Sequence, residues 1–207
     1  MAKIENSQIF GDKQAKHFLH YVKGKCKKHG IKLILREVSY LRLSGNIKCS
    51  GYFDDEGKML VVAMKSPLAL EILVHEFGHL TQYVDNCKPW KNLGNSLDKM
   101  TDWLSGKNIR QYSRYIDLAR NMELDNEKRS VQIIKDFGLN IDIESYIRRA
   151  NSYIYFYNWM KTTRRWSSPT NSPYKNSALL EVMPKTFQKS YRTIPKHIAK
   201  VFKQEQI

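Results

Sequence analysis

Apolar residues recur at Leu70, Leu73, Val74, Phe77, Leu80 and Val84, which is helical spacing. The pattern predicts an amphipathic helix. Ser66 is placed to N-cap it, and Pro67 at the first helical position has no amide hydrogen to lose. Upstream, Phe18, Leu19 and Val22 give an apolar side to a basic amphipathic helix over residues 12–29, with Gly30 placed to end it. Residues 31–38, 47–53 and 58–64 read as strands, and Asp54-Asp55-Glu56-Gly57 between the last two reads as a hairpin turn.

Beyond the central helix the pattern is mostly helical. Residues 87–94 read as a loop, and residues 96–104 as a short helix ending at Gly106. A long helical pattern over residues 108–137, with room for one break, is stopped by Gly138. Residues 143–166 form an aromatic helix carrying Tyr146, Tyr153, Tyr155, Phe156, Tyr157, Trp159 and Trp166, a density typical of core or interface. Residues 167–176 read as irregular. The basic C-terminal stretch, with Pro184 and Pro195, yields no assignment. The expected class is α+β: a small N-terminal sheet of about three strands, the central helix, and a mostly helical second half. One domain is expected over residues 1–207, in segments 1–65, 66–138 and 139–207.

The central helix carries His75-Glu76-Phe77-Gly78-His79, an HExxH. Residues four apart on a helix share a face, so His75 and His79 can offer ring nitrogens to one metal ion. Glu76 beside them can reach a water on that ion. Imidazole pairs suit zinc, and a zinc-bound water loses its proton near neutral pH. A buried helix with two hydrogen-bonded histidines is the plainer alternative.

A catalytic zinc needs a third protein ligand. Glu123 is one candidate: with Glu127 four residues on, it shares a helix face, so one carboxylate can bind metal while the other accepts a histidine N–H. A solvated acidic patch is the plainer account of that pair, since Lys128 and Arg129 follow at once. Asp85 is another candidate, six residues after His79, but Gln82 lies between and continues the helix. His197, Asp125 and Glu127 complete the set. Tyr153, Tyr155 and Tyr157 are candidate donors to a developing oxyanion.

Thirty-five Lys and Arg against 20 Asp and Glu give a net charge of +15. That favours acidic partners, nucleic acid among them, although a solvated basic surface is the plainer account. Arg148-Arg149 and the Lys161, Arg164-Arg165-Trp166 cluster motivate a nucleic-acid reading. His17, His20 and His29 read as surface histidines. Cys26, Cys49 and Cys87 share no tight spacing and read as reduced thiols. No apolar run nears the length of a membrane span, and the opening residues carry no apolar signal core. These features point to a cytoplasmic protein.

Strands, an HExxH helix, then a helix with a Glu-x-x-x-carboxylate pair resemble the gluzincin group of zinc metallopeptidases. Within it, the chain resembles small phage and mobile-element metallopeptidases related to the ImmA/IrrE type. The motifs carrying the resemblance cover residues 66–135. The resemblance implies a zincin-like fold, Zn2+ held by His75, His79 and Glu123, Glu76 as general base, and Glu127 as a supporting carboxylate. It implies a metalloendopeptidase acting on a protein or peptide inside the host cell. The competing expectation is a basic, nucleic-acid-associated zinc protein, either cleaving DNA-bound proteins or only binding.

Overall fold

The structure, a computed structural model, describes residues 11–43, 48–168 and 170–207. It is α+β, with eight helices and five short strands among those residues. They divide into two compact units. One holds the described residues up to Cys87 together with Arg129–Ile141; the other holds Lys88–Lys128 and Asp142–Ile207.

In the first unit, α1 (Lys13–Lys28) begins where the Asp12 carboxylate accepts the Ala15 amide at 2.6 Å. It ends at Gly30 with φ of 68°, where the Ile31 amide reaches back to the Cys26 carbonyl at 2.8 Å. The strands are β1 (Lys32–Arg36), β2 (Leu41–Arg42), β3 (Lys48–Cys49), β4 (Gly51–Asp54) and β5 (Met59–Ala63). The predicted second strand thus divides into β3 and β4, and its first residue, Ile47, lies outside the described residues. The sheet order is β1-β5-β4, with β1 parallel and β4 antiparallel to β5. Leu33 faces Leu60 in one register, and Phe53 faces Leu60 in the other. Leu60, Val61, Val62 and Ala63 are all buried, as expected of a central strand covered on both faces. β2 and β3 form a separate antiparallel pair.

The expected hairpin joins β4 and β5. The Gly57 amide donates to Asp54 Oδ1 at 2.8 Å, while Lys58 takes the left-handed conformation at φ 51°.

Helix α2 (Ala69–Asp85) carries the HExxH motif. It starts later than Ser66 and Pro67 suggest. Ser66 instead closes the turn leading in: its hydroxyl accepts the Leu68 amide, and its carbonyl accepts that of Ala69. The far end is closed by Asn86 at φ 47°, with the Cys87 amide donating to the Gln82 carbonyl.

α2 packs on β4 and β5. The approach to β4 is close enough that a Cβ at Gly51 would meet Ile72 at 2.5 Å and Glu76 Cγ at 3.0 Å. Only glycine fits there without displacement.

The second unit contains α3 (Lys88–Leu93), α4 (Ser96–Leu104), α6 (Ile143–Thr163), α7 (Ser177–Val182), α8 (Lys196–Gln204) and most of α5 (Tyr112–Phe137). The expected loop at 87–94 is largely helix α3. The long pattern forms the unbroken 26-residue α5, whose last turns lie in the first unit. The aromatic helix α6 stops at Thr163, before Trp166, because Arg164 turns left-handed at φ 51°.

The core of this unit gathers Ile116, Ala119, Met122, Ile154, Phe156, Met160, Leu179, Ile198 and Phe202. Tyr155, Phe156 and Tyr157 are buried, so part of the aromatic density of α6 is core. A buried polar cross-link joins α6 to the segment before α8: Asn158 donates to the Tyr191 carbonyl, and the Tyr191 hydroxyl donates to Asn151. No described helix is long and apolar enough to cross a membrane.

Candidate metal centre

Helical spacing places His75 and His79 one turn apart on α2. Their Nε2 atoms face each other at 3.2 Å, with ring planes 87° apart. Two nitrogens bound to one tetrahedral metal at about 2.0–2.1 Å would lie roughly 3.3 Å apart. That spacing fits two ligands of a single ion, and it also fits a hydrogen bond between the two rings. The ligand atoms of His75, His79 and Glu123 all lie within 4.8 Å of one another. They form the one group of three or more metal-type side chains found among the described residues, and they could bind a metal ion.

The tautomer of His79 is set locally. Its Nδ1 lies 3.0 Å from the amide oxygen of Gln82, one turn further along α2. An oxygen acceptor there puts the hydrogen on Nδ1 and leaves the Nε2 lone pair facing His75. Gln82 is fully buried and His79 nearly so. Burial, with His75 beside it, pushes the His79 imidazolium down to about 3, while the Gln82 contact partly opposes the shift. The ring is neutral across the physiological range, which is the form that binds metal. In the sequence Gln82 read only as a residue that keeps the helix going; its second role is visible only once the side chain is seen folding back on the ring.

Glu76 is 8 % exposed and lies against the β4 backbone at Gly51. Cys49 is near enough for the Glu76 charge to raise its thiol pKa, after the larger effect of burial. Cys26, Cys49 and Cys87 are all free thiols, and burial pushes Cys26 up to about 11.

Helix α5 supplies Glu123 from a buried polar stripe. Glu123, Asn126, Glu127 and Ser130 are all buried, at the spacing of one helix face. This disposes of the solvated acidic patch. Glu127 accepts a hydrogen bond from the Tyr146 hydroxyl at 2.6 Å. Six residues after Glu123 on the same helix, Arg129 donates to Asp85 at 2.6 Å and to Thr81 at 3.3 Å.

The other ligand candidates are placed elsewhere. Asp85 is half-exposed and paired with Arg129. His197 is exposed on α8, and Asp125 is half-buried. None of these, nor Glu127, joins the ligand group among the described residues.

Of the three tyrosines, Tyr153 and Tyr157 adjoin Glu123. Burial first, with the Glu123 carboxylate contributing, holds both phenols well above their ordinary range, so both keep their protons. Their hydroxyls lie 3.2 Å apart. Tyr155 packs instead against Tyr191, with ring centroids 5.0 Å apart.

Comparisons of the chain with protein-family models, curated proteins and solved structures return no match.

Proposed function

We propose that the chain is a zinc-dependent metalloendopeptidase. The observation that carries the reading is the Nε2 pair of His75 and His79 at 3.2 Å, with Glu123 completing a compact ligand group and Glu76 adjoining on the same helix. Two imidazoles and one carboxylate make a donor set of the kind used by catalytic zinc sites, which keep a further position open. A zinc ion bound there supplies a Lewis acid and lowers the pKa of water toward neutrality.

The chain's own residues do the rest. Glu76 takes a proton from the attacking water and returns it to the leaving amine. Its side chain lies beside β4, where a Cβ at Gly51 would come within 3.1 Å of Glu76 Oε1. Tyr153 and Tyr157 offer protonated hydroxyls beside Glu123, suited to donate to the oxygen of the substrate carbonyl as charge builds on it. Gln82 holds His79 in its ligating tautomer.

The nucleic-acid reading draws less support. Lys161 is paired with Asp117 at 2.6 Å. Arg164 caps the carbonyls of Trp103 and Lys107, both at 2.8 Å. Arg148 holds the carbonyls of Leu180 and Glu181. Much of the basic cluster therefore serves internal structure.

The testing experiment is peptidase activity of the zinc-loaded protein on a denatured protein mixture, beside Glu76→Gln. New peptide termini that appear with wild type and not with Glu76→Gln support the proposal. Identical termini with both would refute it.

A further inference from the structure

The face of α2 opposite its histidines borders a groove of about 310 Å³. Each residue of an α-helix turns about 100° from the last, so Phe77 and Val84 lie roughly half a turn away from His75. Every residue lining the groove belongs to the first unit. Its volume is at the lower end of small-molecule sites, which span about 300–1,000 Å³.

The groove has an apolar floor and a positive rim. Phe77 is buried at its base, and the Tyr21 ring meets it edge-on at 5.9 Å. Val84 and Tyr21 remain more than a third exposed, an open apolar surface next to that base. The Lys25 ammonium lies 5.3 Å from the Tyr21 ring centroid. Lys25 and His29 are both half-buried, and among the described residues neither pairs with a carboxylate. Asp85 is the acid in the lining, and it is engaged by Arg129 at 2.6 Å. The charge left facing the groove is positive.

Lysines at a helix C-terminus commonly do no more than complement the helix dipole. Lys27 and Lys28 are exposed and fit that account. Lys25 differs, because it folds over an aromatic ring into a groove.

We propose that this groove binds a small organic carboxylate with an aryl or alkyl body. The carboxylate meets the Lys25 ammonium, with the His29 ring alongside. The body lies on Tyr21, Phe77 and Val84. The site is separate from the metal centre and does not depend on the peptidase reading.

Amide-resolved NMR titration of the full chain tests it, with 4-phenylbutyrate as probe. The controls are 4-phenylbutanol, which lacks the charge, and inorganic phosphate, which lacks the body. Saturable shifts grouped around Lys25, His29, Thr81 and Val84 are expected, with both controls weaker. Lys25→Gln, a change at the helix surface, should weaken binding by about tenfold, the usual order for losing a charge-assisted hydrogen bond. Absence of saturable shifts up to about 10 mM would overturn the proposal, since even weak sites fill in that range. So would equal binding of 4-phenylbutanol, shifts confined to His75 and His79, or unchanged affinity in Lys25→Gln.

Discussion

Gln82 accepts a hydrogen bond from the Nδ1 of His79 at 3.0 Å, with both side chains buried. The contact orients the ring whose other nitrogen faces His75, so under the proposed metal reading its loss should be felt at the metal. Gln82→Leu should weaken metal binding by about 10–100-fold, the usual cost of losing such a partner. Gln82→Glu, which still accepts the hydrogen, should restore most of it. Competition against a zinc chelator measures both. Equal affinities in all three proteins would show that the contact only packs the helix.

Glu76→Gln should bind metal normally and fold normally, because an amide of the same size fills the same place beside Gly51. Turnover should fall by about 10²–10⁴, the usual weight of a general base. Peptidase rates beside metal content separate the two effects. Wild-type turnover in this variant would remove Glu76 from the mechanism.

Glu123→Ala should lower metal affinity steeply. Asp85→Ala should leave it nearly unchanged, because Asp85 is held by Arg129. Glu127→Ala should fall between the two: Glu127 belongs to the same buried stripe and is held by Tyr146. The order of the three chelator-competition curves is the readout. Asp85→Ala more damaging than Glu123→Ala would reverse the assignment.

Gly51→Ala places a Cβ against Ile72 and Glu76. Overpacking of this kind costs about 1–3 kcal/mol. The thermal midpoint should fall, and activity should fall further than the lost stability explains, since Glu76 is one of the groups displaced. Calorimetry and rate measurements on the same sample check it. An unchanged midpoint would show that the strand and helix separate easily.

The sequence made the local features legible and hid those that depend on distant chain. The periodic apolar positions of α2 located the HExxH helix, and the four-residue spacing of Glu123 and Glu127 marked their common face. The Asp54–Gly57 stretch announced its hairpin, although Lys58 takes the left-handed residue. Helix α3 was hidden because Lys88-Pro89-Trp90-Lys91-Asn92-Leu93 holds too few apolar positions to show a period. The start of α2 was displaced because a serine before a proline can cap a turn as well as a helix. The parallel pairing of β1 with β5, the approach of Gly51 to α2 and the role of Gln82 rest on where side chains and strands meet in space. A one-dimensional pattern does not carry that information.

On the proposed reading, His75 and His79 hold one metal ion together. Elemental analysis of the purified wild type, His75→Ala and His79→Ala after zinc loading and desalting measures this. The wild type should retain about one zinc per chain, as a three-ligand protein site does, and both variants should lose most of it. Near-stoichiometric zinc in both variants would show that the two histidines are not the ligands.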